Sequence, residues 1–273
     1  MTGKYLKFYS LVTLFCVTGM VKGQNDCSIK NTAFKAGEKV TYIINYHWHF
    51  IWLESAQVTF TVSLKNYYNV PCYYFEGSGG TYPKYDWFYK VRDTFRAYCD
   101  TTTISSRRFF RITNEGPAHI SNDNVFNYAR HKVYCLSADK AGKYHEDSVH
   151  IASCTYDVLT AIYYTRCFNF SGYSNGDTIP VTLYLDAHIY HIHLTYLGKE
   201  VISSSLGKFR CIKFNVSLIS GTIFKAGQQM TVWITDDKNR LPIRVDAPVI
   251  IGAVRAELKS FSNLRNPVDA KVN

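Results

Sequence analysis

The amino-acid sequence predicts a mainly β protein: a single curved antiparallel sheet, or an incomplete barrel, with one short helix packed on it. Three observations carry that prediction. Apolar residues recur at every second position through most of the chain, turn residues punctuate these runs roughly every ten residues, and one segment switches to a helical spacing.

The first alternating run is Thr41–Phe50, where Tyr42, Ile44, Tyr46, Trp48 and Phe50 interleave with Thr41, Asn45, His47 and His49. The second is Ala56, Val58, Phe60, Val62 and Leu64, interleaved with Gln57, Thr59, Thr61, Ser63 and Lys65. Two such runs across a short polar step predict neighbouring antiparallel strands with one buried and one solvated face. The pattern returns at Tyr190–Tyr196, Ile212–Leu218, Met230–Ile234 and Val254–Leu258. Between the runs stand turn signals: Gly198-Lys199, Leu206-Gly207-Lys208, Ala226-Gly227 and Asp237-Lys238-Asn239. Thr155–Arg166 breaks the rule, with Val158, Leu159, Ala161, Ile162 and Tyr163 forming a helical stripe. Thr155 or Asp157 suits its N-cap, and Arg166 its C-terminal end. This helix is expected to plug the concave side of the sheet, with a second helical turn at Tyr85–Lys90.

The chain opens like a secretory leader. Lys4 and Lys7 precede an apolar run from Phe8 to Val21, which ends at Val21-Lys22-Gly23 before a polar stretch. The run is about 14 residues, short of the roughly 20 that a membrane-spanning helix needs. Phe15 before Cys16 does not suit a lipid-attachment site. The expected organisation is a signal peptide over 1–23, a flexible segment over 24–33, a single β domain over 34–262 and a tail over 263–273, with no transmembrane span in the mature chain. Phe34-Lys35-Ala36-Gly37 recurs as Phe224-Lys225-Ala226-Gly227, each a glycine turn launching a strand rather than a repeat unit.

Removing the leader lowers the formal charge from +10 to +7, since it holds three lysines and no acid. That excess suits an anionic partner such as a lipid headgroup or acidic glycan, while the scattered basic residues and the export signal argue against nucleic acid. Seven cysteines follow the leader, an odd number, with no CxxC or clustered Cys/His spacing. Most are expected as buried core thiols. Cys154 and Cys167 flank the helix and would stand near 20 Å apart along it, too far for a disulfide.

The ordered stretches Phe34-x-x-Gly37-Glu38, Val91-Arg92-Asp93, Asp157-Val158-Leu159, Tyr163-Tyr164-x-Arg166, Gly198-Lys199-Glu200, Gly207-Lys208-Phe209-Arg210-Cys211 and Trp233-Ile234-Thr235-Asp236-Asp237 with Arg240-Leu241-Pro242 span most of the mature chain. In these the sequence resembles the exported bacterial family catalogued as domain of unknown function 3108. The resemblance implies a periplasmic or surface-exposed β domain and supplies no activity. More loosely, the inferred shape is similar to the half-barrel of bacterial lipoprotein-carrier proteins.

Two kinds of site are legible. His47-x-His49 and His191-x-His193 each place two imidazoles on one strand face, a spacing that ligates metal if the strands are neighbours. Tyr82, Tyr85, Trp87 and Phe88 fall outside the alternation and offer an aromatic surface for a ligand. Asp236-Asp237 reads first as a hairpin turn, and Arg92-Asp93 and Asp157 with Arg166 as structural ion pairs. No serine-hydrolase elbow, zincin helix, P-loop or dinucleotide fingerprint is present, and no catalytic residue is assigned. The expected function is therefore a non-enzymatic, cofactor-free binding module for an apolar or glycan ligand of the cell envelope. The alternatives are a structural or protein-interaction component of the envelope and a metal-dependent enzyme built on the strand histidines.

Overall fold

Side-chain alternation becomes hydrogen-bonded register where the first two runs meet. Val40 pairs with Phe60 and Tyr42 with Val58, so apolar residues of both strands share one face. The structure, a computed structural model, describes Cys27 and residues 29–48, 51–138, 143–217, 228–249 and 252–272. The expected leader, His49, and the second glycine-turn echo at 224–227 lie outside the described residues.

Eight strands lead outward from the middle of one sheet: β1 (Lys39–Trp48), β2 (Ile51–Tyr67), β3 (Val70–Thr81), β4 (Val91–Asp100), β5 (Ser106–Glu115), β6 (Ala118–Asn127), β7 (Lys132–Ala138) and β8 (Tyr144–His150). The chain then crosses by β9 (Thr155–Tyr156) and the helix α1 (Val158–Arg166) to the opposite edge. It returns through β10 (Thr178–Leu185), β11 (His188–Ser204), β12 (Gly207–Ser217), β13 (Gln229–Thr235), β14 (Pro242–Pro248) and β15 (Ala253–Ser262). A last short strand, β16 (Lys271–Val272), pairs with β12. The strand order runs β8 through β1, then β15 back through β9. Every pairing is antiparallel except β9 with β10. The result is an open sheet whose two wings curl around α1, which touches β3 and β4 on one side and β10 on the other.

The wings also meet without any ladder. At the β10–β11 turn, Asp186 accepts from Arg111 of β5, with Nη1 at 3.1 Å, and from Asn122 of β6 at 3.0 Å. Tyr184 donates its hydroxyl to Asn124 at 2.9 Å. Side chains thus bridge a gap that backbone hydrogen bonds do not.

Asp157 is the helix N-cap: its carboxylate accepts from the Thr160 backbone N–H at 2.9 Å and from the Thr160 and Ser106 hydroxyls. The helix face then packs as rings. Tyr163 stacks on Phe75 with centroids 4.0 Å apart, and Phe34 meets both edge-on. A smaller cluster gathers Val40, Tyr42, Phe209, Trp233, Leu241, Ile243 and Leu258.

Several local expectations change. Gly198-Lys199 is no turn but a register shift inside the long strand β11, where Gly198 takes φ +96°. The segment before Phe34 is not loose: Ile29, Asn31 and Ala33 are buried, Asn31 caps the backbone N–H groups of Ala33 and Phe34, and Cys27 is bonded to Cys154. After Ser262, Ala270 is fully buried and β16 completes the pairing. The expected helical turn near Tyr85 forms, but begins earlier, as a 3₁₀ turn over Pro83–Tyr85 that runs into a hydrogen-bonded turn from Tyr85 to Tyr89. Cys72, Cys99, Cys135, Cys167 and Cys211 are free and buried. Among the described residues no helix is long and apolar enough to cross a membrane.

Candidate functional site

Most of the motif residues turn inward to build the scaffold. Arg166 is buried and forms a two-pronged pair with Glu38, at 2.6 and 3.0 Å, while its Nε donates to the Asn239 carbonyl. Asp237 accepts from the Thr235 hydroxyl and the Asn239 N–H, closing the turn read from Asp-Lys-Asn. Asp236 pairs with Lys199 and Arg240. The expected pairings of Asp157 with Arg166 and of Arg92 with Asp93 do not form; Asp157 caps the helix, and Arg92 binds Asp86 at 2.7 Å. Burial pushes the Asp157 carboxyl above its ordinary value, against the pull of its hydroxyl and N–H donors.

The histidines do not converge. Strands β15, β14, β13 and β12 lie between β1 and β11, which separates His47 from His191 and His193 by roughly 24 Å at sheet spacing. His47 lies against the Trp52 ring, and His191 Nδ1 is 3.2 Å from the Thr182 hydroxyl. Among the described residues no group of three or more His, Cys, Asp or Glu side chains is placed to hold a metal. The spacing in sequence sets a face of one strand; it carries no information on which strands are neighbours.

What remains is the outer face of β2–β5. Pairing aligns Gln57, Gly80, Arg92 and Asn114 in one row and Thr59, Ser78, Thr94 and Ile112 in the next. These residues, with Thr81, Asp93 and Arg96, line an open cleft of about 550 Å³. Its floor is low because Gly80 has no side chain. A Cβ there would stand 2.4 Å from the Val91 carbonyl oxygen and 3.1 Å from the Arg92 chain. Arg92 is fixed by Asp86 and by the carbonyls of Thr81 and Val91, and Arg96 by Glu76 at 2.7 Å. Partial desolvation raises the Asp86 carboxyl, but the bonds from Arg92 and Thr81 hold it below its ordinary value. Asp93 behaves the opposite way. Burial, seconded by the neighbouring Glu115 charge, pushes its carboxyl up to about 6, although the Asn114 N–H donates to it at 3.0 Å.

A second cleft of about 450 Å³ adjoins the first, lined by Glu54, Tyr82, Pro83, Lys84 and Lys259. Between them Lys259 Nζ, on the second cleft, donates to Gln57, on the first, at 3.1 Å. Tyr82 donates its hydroxyl to Glu54 at 2.7 Å, so it forms a wall rather than a free platform. Of the four aromatics expected to bind ligand, Tyr82 alone lines a cleft. Tyr85 sits under Lys84, whose Nζ is 4.9 Å from its ring, and Trp87 and Phe88 project into solvent. The row of small and polar outer residues was missed in the sequence. Its only signal is the polar half of the alternation together with Gly77-Ser78-Gly79-Gly80.

A family model described as protein of unknown function, DUF3108, matches residues 41–259. The chain belongs to the DUF3108 family. No curated protein matches. Among solved structures, this DUF3108 chain is similar to a β-barrel-like protein of domain of unknown function DUF1849 from Brucella abortus, with TM-score 0.52 and 8% identity over 86% of this chain and 99% of that one. That likeness speaks to the fold alone. Of the stretches that carried the family resemblance, Val91-Arg92-Asp93 is the one whose side chains line the outer cleft.

Proposed function

We propose that this DUF3108 protein is an exported, non-enzymatic binding module that takes a glycan of the cell envelope on the outer face of β2–β5. The observation that carries this reading is the pair of neighbouring clefts. An open, shallow trough lined by Arg, Gln, Asn and Thr side chains over a glycine floor suits a chain of hydroxyl groups better than an acyl tail. Against an acyl chain held in the concave interior stands the packing of α1, whose Leu159, Tyr163 and Tyr164 are buried against the wings. Export is supported by the leader-like start and by the Cys27–Cys154 disulfide, since such bonds persist in oxidising compartments.

Native mass spectrometry of protein purified from its own envelope tests the reading. A carbohydrate mass lost on denaturation is expected, and Arg96→Ala with Asn114→Ala should weaken the binding about tenfold with the thermal midpoint little changed. Affinity for an acidic glycan should fall as pH rises through about 6, because Asp93 then gains its negative charge inside the cleft. Asp93→Asn should remove that dependence. A bare polypeptide mass, or full binding by the double variant, would sink the glycan reading. Strand β8 favours a second one: its residues are mostly exposed and it ends the sheet, so a partner protein can add a strand there. Cross-linking in intact cells from a cysteine placed at Ser148 would capture such a partner.

A further inference from the structure

Alternate turns of an antiparallel meander fall at one end of the sheet. The β1–β2 and β3–β4 connections share such an end, since Ala56 pairs with Thr81 and the Tyr82 N–H donates to the Ser55 carbonyl. Here two of the most exposed rings of the described residues stand side by side, with centroids 5.9 Å apart. Trp87 is 84% exposed and Phe88 79%, with Tyr89 beside them and Ile51 and Trp52 on the neighbouring hairpin. The loop is held firmly beneath its tip: Phe88 and Tyr89 donate to the Tyr85 carbonyl, and Asp86 is anchored by Arg92 and Thr81. Leaving a Trp or Phe in water costs about 1.5–3 kcal/mol relative to burial, so paired exposed rings on a fixed loop call for an occupant.

The charge around the rings selects one. Lys84, Lys90 and Lys259 are exposed at this rim; of the nearby acids Asp86 is ion-paired with Arg92, while Glu54, bonded by the Tyr82 hydroxyl, and Glu115, opposite Val91, leave the lysines in a small excess. Trp and Tyr prefer the headgroup region of a bilayer, and lysines there gain from anionic lipid. We propose that this rim docks the protein on an anionic phospholipid surface, with Trp87 and Phe88 entering the headgroup layer and Lys84 and Lys90 facing lipid phosphates. Two weak signals, apolar insertion and basic attraction, then add, since membrane affinity grows with both buried apolar area and attraction to anionic lipid. Trp87, Phe88 and Lys90 line neither cleft, whereas Lys84 lines the second, so the ring variant is the one that separates this inference from the glycan reading.

The test is co-sedimentation of protein purified from its host with vesicles of phosphatidylcholine alone, and of phosphatidylcholine with phosphatidylglycerol in equal parts. Binding is expected to the anionic vesicles, weakening with salt. Trp87→Ser with Phe88→Ser should lower the partition coefficient about tenfold or more, and Lys84→Gln with Lys90→Gln by several-fold on anionic vesicles only. Because these side chains are exposed, circular dichroism and the thermal midpoint should match the parent. Arg96→Ala, which alters the cleft, should sediment as the parent does. A parent protein that stays in the supernatant with both vesicles overturns the proposal, as does undiminished binding by the ring variant. Concentration-dependent dimerisation that the ring variant abolishes would assign the rim to a second copy and overturn it equally.

Discussion

Glu38 and Arg166 meet inside the protein, where almost no solvent shares their charge, and the guanidinium is satisfied by one carboxylate and the carbonyls of Ala33 and Asn239. Removing one partner of such a pair strands the other. Glu38→Ala should therefore cost about 3–5 kcal/mol in urea unfolding, whereas Glu38→Leu combined with Arg166→Met should restore most of that loss. A single variant within about 1 kcal/mol of the parent would show that the pair is not what fixes the helix end. Local reading assigns Arg166 to Asp157, nine positions back at the start of the same helix. The true partner is 128 residues away at the start of β1. Charge and proximity in sequence cannot reveal it, because the contact exists only after the sheet has brought β1 under the helix. The cap is legible to within two candidates, Thr155 and Asp157, since an N-cap is settled by its own next turn, and the structure assigns it to Asp157.

Among elements, strands were legible wherever one face is buried and the other wet, as in β1, β2 and β12. The helix stood out by its spacing. The Gly198 bulge was not, because glycine before lysine signals either a turn or a bulge, and only the paired strand decides which. The N-terminal segment was misread for a similar reason: a short polar stretch looks loose until its anchors are known. Here the anchors are the Asn31 cap and the bond from Cys27 to Cys154, which closes a loop spanning 127 residues. In the chain-entropy view a loop that long contributes about 5 kcal/mol, the upper end of what disulfides supply. Cys154→Ser should lower stability by about that amount under oxidising conditions and show no difference from the parent under reduction. An equal stability of the two proteins before reduction would remove the staple from the account.

For the whole molecule, the sheet is open in its ladder yet bridged by Arg111, Asn122 and Asp186 between the wings. Asp186 is nearly half exposed, so the bridge is worth only on the order of 1 kcal/mol. Arg111→Met should leave global unfolding almost unchanged while the amides of 184–190 exchange faster; unchanged exchange there would mean that the wings are held by packing alone. Neither this bridge nor the outer cleft could be read from the sequence, since both join residues whose neighbourhood is set by sheet curvature and strand order. The meander has a further consequence. Its turns divide into two sets: one end holds Glu38, Asp157, Arg166, Asp237 and the disulfide, whereas the other holds the aromatic loop and the mouths of the clefts. Loop tips at the rim can be exchanged or lengthened without disturbing the opposite framework, so members of one lineage can trade recognition properties while keeping a common frame, and a designer can graft new loops onto these turns.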